Sequence, residues 1–79
     1  MSQPVDHDMT AVLEAIDFGE RCRLRMPEHA TNLVNLADCY RLKGQRVRAR
    51  TLANRALSLD STLQGAQQIL DLLKEKAEA

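Results

Sequence analysis

Metal or redox chemistry in this chain would have to use Cys22, Cys39, His7 and His29, which carry its thiols and imidazoles. Their spacing matches no zinc pattern, and both histidines fall near expected helix starts, so no metal ligands are assigned. Two cysteines are fewer than the four or more of a small disulfide-built secreted domain. A bond between them would need their helices to face each other. As reduced thiols they act as small apolar residues. No nucleophile–base pattern and no glycine-rich phosphate loop is present. We expect no catalytic residue, no cofactor and no enzyme.

Polyanion binding is the second chemistry to weigh. The stretch "RLKGQRVRAR", residues 41–50, holds five positive charges in ten residues, and Arg55 follows. The formal net charge is nevertheless zero, so nothing pulls the whole chain towards nucleic acid or anionic lipid. The charges are unevenly spread. Asp6, Asp8, Glu14, Asp17 and Glu20 stand in the first twenty residues without a Lys or Arg, whereas residues 39–59 are basic without an acid. Single-strand binding adds stacking aromatics, yet Phe18 and Tyr40 are the only aromatics here. Arg41–Arg55 therefore reads first as a solvated face paired with acids of a neighbour. An acidic protein surface and a polyanion remain as further readings.

The elements carrying these residues are helical. Seventy-nine residues make one domain, 1–79, with residues 1–7 a flexible lead-in. No β-branched alternating run calls for a strand. Met9, Val12, Leu13 and Ile16 recur at helical spacing, Asp6 or Asp8 can cap the start, and Pro27 follows the end. They predict a helix over about 8–25. Leu33, Leu36, Ala37 and Tyr40 predict a second over 30–43, with Gly44 as a left-handed cap. Ala49, Leu52, Ala53, Ala56 and Leu57 place a third over 46–58. Leu63, Ala66, Leu70, Leu73 and Ala77 place a fourth over 62–77, with Asp60 or Ser61 as its N-cap and Ser61 with Gln64 fitting a capping box. The short links require neighbouring helices to pack antiparallel.

Within residues 30–61, Leu33, Leu36, Ala37, Tyr40, Gly44, Ala49, Ala56, Leu57, Leu59 and Asp60 resemble the tetratricopeptide repeat, a 34-residue helix–turn–helix unit. Ala53 and Ser61 depart from its pattern, where an aromatic and a proline are usual. Upstream, "AVLEAIDFGERCRLRMP" is similar to the second helix of a preceding repeat, with Ala15 lying 34 residues before Ala49, Cys22 before Ala56, and Pro27 at the family's proline position. Gly19, Arg23 and Arg25 depart from it. The resemblance implies an all-α, antiparallel helix–turn–helix array of about four helices, a fragment of a right-handed superhelix. It makes Leu33, Leu36, Ala37, Tyr40, Gly44, Ala49, Ala56 and Leu57 the structural core and buries both cysteines at small positions.

The same resemblance implies protein–protein interaction. Its concave groove would present Val34, Asn35, Asp38, Arg41 and Leu42 from the second helix, and Gln68, Ile69, Leu72 and Glu75 from the fourth. Ile69 and Leu72 also fall at or beyond the edge of the apolar stripe of that helix. The lysines that would complete a carboxylate clamp around Asn35 are missing, so an amphipathic or extended segment with apolar anchors is the better ligand. The expected role is a small adaptor, chaperone or assembly subunit. The alternative is a self-associating scaffold whose terminal helices complete repeats between chains, through Met9, Val12, Leu13, Ile16, Leu72 and Leu73. A homo-oligomer or obligate complex fits either. No apolar run approaches a membrane span and the acidic start is unlike a secretory signal, so a soluble, cytoplasmic protein is expected.

Overall fold

A computed structural model of the chain describes the backbone of residues 9–77 and side chains up to residue 74. His7, the caps assigned to Asp6 or Asp8 and the 1–7 lead-in lie outside the described residues. The helices are α1 (Met9–Arg25), α2 (Ala30–Lys43), α3 (Arg46–Leu59) and α4 (Gln64–Ala77). The described residues contain no strand, so the protein is all-α.

Local chemistry sets each boundary. After α1 the chain turns at Met26–His29. The His29 amide donates to the Met26 carbonyl at 3.1 Å, and Pro27 presets the backbone of this turn. His29 then caps α2: its Nδ1 accepts from the Asn32 amide at 3.1 Å. The α2–α3 turn rests on Gly44, whose φ of 93° lies in the left-handed region that disfavours side chains. The Gly44 amide donates to the Arg41 carbonyl at 3.0 Å and the Gln45 amide to the Tyr40 carbonyl at 2.9 Å. That pair of bonds is a Schellman ending. The entry to α4 differs from the expected capping box. Asp60 Oδ1 accepts from both the amide and the hydroxyl of Thr62. This local turn holds Thr62 out of the helix, so α4 begins at Gln64 rather than near 62.

The core is small and aliphatic. Leu33, Leu36, Ala37, Tyr40, Ala49, Leu52, Ala53, Ala56 and Ala66 are buried, together with Val12, Ile16, Ile69 and Leu73. Leu57 packs against this cluster while half-buried. Ala37, Ala49, Ala53, Ala56 and Ala66 have no exposed surface, so the helices approach closely wherever they meet. Gly19 extends this principle. It departs from the apolar residue expected at its position because a Cβ there would stand 2.7 Å from Leu36 Cγ and Cδ2. The half-buried Asn32 amide ties the same contact by donating to the Gly19 carbonyl at 3.0 Å.

Each helix packs on its sequence neighbour, and α2 also packs on α4, whereas α1 and α3 do not pair. Helices α2 and α4 thus share one side of the array. Their approach is close at Gly65, where a Cβ would stand 3.2 Å from Val34 Cγ1.

Candidate functional site

The side shared by α2 and α4 carries the expected groove, in altered form. Val34 and Leu42 are half-buried and pack against the core cluster. Asn35 and Gln68 are exposed. Leu72 is 41% exposed, and it lies seven residues beyond Gly65 on the same side of α4. Ile69 is a correction: at 4% exposure it belongs to the core. It is buried with Ala66 and Leu73 in the core cluster, because the buried stripe of α4 is rotated towards Ile69 from the line drawn through the half-buried Leu70. Glu75 is outside the residues with described side chains.

The charges of this face satisfy each other. Arg41 Nε and Nη2 donate to Asp38 Oδ1 at 3.0 and 2.7 Å. This face therefore presents Asp38 and Arg41 as a neutral pair. Asp38 also acts on Cys39, since burial, with the Asp38 charge added, pushes that thiol up. A less nucleophilic Cys39 suits the packing role expected for it. Both cysteines are free and half-buried rather than fully enclosed.

Half of the six basic residues in 41–55 are tied into the fold. Arg46 reaches from α3 to donate to the Leu73 carbonyl near the C-terminal end of α4, where the helix dipole favours a cation. Arg48 lies over the Tyr40 ring, 5.1 Å from its centroid, a cation–π distance. Beneath it the Tyr40 hydroxyl donates to Glu20 Oε2 at 2.6 Å, and Arg23 pairs with Glu20 Oε1. Burial works to raise the Glu20 carboxyl, but hydrogen bonds from Tyr40 and Arg23 and the charges of Arg23 and Arg48 outweigh it, so it sits below its ordinary value. Burial, then the bond to Glu20, pushes the Tyr40 phenol up. Arg41, Arg46 and Arg48 are thus engaged, whereas Lys43, Arg50 and Arg55 make no ion pair among the described residues. The acidic counterpart of the stretch is Glu20, within the acidic first twenty residues.

No metal-holding group of three or more His, Cys, Asp or Glu occurs among the described residues. No described helix is long and apolar enough to cross a membrane. No protein-family model, curated protein or solved structure matches this chain.

Two features escape helical periodicity. Val12, Ile16 and Leu73, expected to meet a second chain, are buried within this one, leaving Met9, Leu13 and Leu72 of that set exposed. Phe18 is the second: it is 67% exposed and overlooks a groove of about 380 Å³ between α1 and α2 that Ala15, Gly19, Asn35, Asp38 and Cys39 also line. Its signal in the sequence was its position three residues after Ala15, off the buried stripe of α1.

Proposed function

We propose that this protein is a tetratricopeptide-like protein–protein interaction module, an adaptor, chaperone or assembly subunit of the cytoplasm without enzymatic activity. The observation that carries the reading is the packing of α2 on α4, with α1 and α3 unpaired. It supports an array in which alternate helices line one side, as the resemblance implies. On that side Val34, Leu42 and Leu72 form an apolar floor beside the Asp38–Arg41 pair and Gln68. A helix or extended segment with two or three apolar anchors fits this surface, because it asks for no charge compensation.

The test is affinity capture with the 79-residue chain, followed by a binding titration against the captured protein. Leu72→Asp should abolish binding while helicity by circular dichroism is unchanged. The affinity should barely change between low and physiological salt, whereas polyanion binding would fall steeply. Binding that survives Leu72→Asp and collapses with salt overturns the proposal.

A further inference from the structure

The two halves of the molecule share a 34-residue register, and comparing them position by position shows a difference between its ends. Ala15, Phe18 and Gly19 of α1 correspond to Ala49, Leu52 and Ala53 of α3. The α3 set is buried, and α3 packs on the helix before it, α2. On α1 only Gly19 of the set is buried, against Leu36, while Ala15 is exposed and Phe18 stands in solvent. The far end is closed differently. Leu33, Ala37 and Tyr40, the buried stripe of α2, correspond on α4 to Gln67, Asp71 and Lys74, all exposed. Polar residues at this end suit water, as in a terminal capping repeat.

This asymmetry argues against head-to-tail joining. Seating α4 of one chain on α1 of another would press the charged Asp71 and Lys74 against the apolar Phe18 and take both out of water. The open side of α1 suits another copy of itself. Small Ala15 and Cys22 flank Phe18 a turn to either side, so a facing aromatic has room. The charges on its flank are ordered, with Glu14 before Phe18 and Arg21 and Arg25 after it. Glu14 and Arg25 have no ion-pair partner among the described residues, and Arg21 pairs only with the exposed Asp17. An antiparallel two-fold arrangement sets Glu14 of each chain within a helical turn of Arg21 and Arg25 of the other, whereas a parallel one would set like against like.

We propose that the open α1–α2 face is the interface of a two-fold homodimer, with the two α1 helices antiparallel and Phe18 of each chain seated in the groove of the other. The assembly closes at two chains, since the described side chains of α4 offer no matching surface. This surface borders the α2–α4 face and shares Asn35 and Asp38 with it, so Phe18→Asp and Leu72→Asp are the changes that tell the two readings apart.

Sedimentation equilibrium of the 79-residue chain at 1–100 µM should give twice the 8.9 kDa chain mass. Phe18→Asp should give a folded monomer, because that side chain is exposed within one chain. Glu14→Arg should weaken the dimer about tenfold, since the loss and the new repulsion each occur twice. Adding Arg25→Glu should restore most of it. In a Cys22→Ser, Cys39→Ser background, Phe18→Cys should cross-link to its own copy on oxidation, while Leu13→Cys should not. A wild-type monomer at 100 µM overturns the proposal. So does a dimer that Leu72→Asp dissolves and Phe18→Asp leaves intact.

Discussion

Gly19 sets helix propensity against packing, and the sign of a single substitution decides between them. Replacing glycine by alanine inside a helix normally stabilises by about 1 kcal/mol, since alanine has the highest propensity and glycine loses the most backbone freedom. Here the added Cβ would stand 2.7 Å from two atoms of Leu36. Carbon atoms rest at about 3.5–4.0 Å, so α1 and Leu36 must part by close to 1 Å. Leu36 is 1% exposed and cannot swing into water. Overpacking of this kind costs about 1–3 kcal/mol. The net for Gly19→Ala is a loss of about 0–2 kcal/mol, or a Tm lower by roughly 6 °C at the middle of that range for a domain of this size. Thermal and urea unfolding followed by circular dichroism reads it directly. Leu36→Val in the same chain should relieve the contact, so the pair should cost less than the two single changes added together, by about 1 kcal/mol. A Gly19→Ala protein more stable than wild type would refute the close α1–α2 approach and the packing argument built on it.

Other perturbations follow from the same contacts. Gly44→Ala should destabilise by about 1 kcal/mol from backbone strain, because φ is 93° and nothing lies within 4 Å of the added methyl; an unchanged Tm would show that the turn adopts another conformation. Tyr40→Phe should cost about 1–2 kcal/mol in urea unfolding at pH 7, since it removes a hydrogen bond to a charged acceptor. The depressed Glu20 carboxyl contributes stability above the ordinary glutamate range and loses it as pH falls through its lower folded value. The raised Tyr40 phenol contributes below about pH 10 and loses it as pH climbs past. Stability against pH should therefore fall on both sides, and Tyr40→Phe should flatten both slopes. The Cys39 thiol, pushed up by burial and by Asp38, should react with iodoacetamide at pH 7.5 more slowly in the native chain than in urea, as followed by mass spectrometry.

Periodicity located the helices because each core stripe is local information. Helices α2 and α3 fall within one residue of the sequence reading, and Gly44 ends α2 as its type dictates. The start of α4 was misplaced because two motifs compete for the same residues. Ser61 with Gln64 spells a capping box, while Asp60 bonds Thr62 and wins. Ile69 was drawn into the groove because a stripe through Leu63, Ala66 and Leu70 fits the wheel nearly as well as one through Ala66, Ile69 and Leu73. Only contact with α2 and α3 chooses between them. The arginines were illegible for another reason. Arg46 finds a carbonyl 27 residues away and Arg48 an aromatic ring on a different helix, and no spacing rule encodes either. Gly19 looked like a defect in its repeat until Leu36 was seen above it.

Helix α2 is the one element in contact with all three others. That placement shapes how the molecule opens. Either outer helix can detach while the rest holds, since α1 and α4 each release α2 on one flank and leave its hairpin with α3 standing. Unfolding α2 itself leaves nothing for α1 to pack on and only the α3–α4 contact standing. Amide hydrogens of α2 and α3 should then exchange only through global unfolding, while those of α1 and α4 exchange through smaller, partial openings. The chain behaves as a short hinged strip fastened at its middle, and whatever covers its ends also slows its fraying.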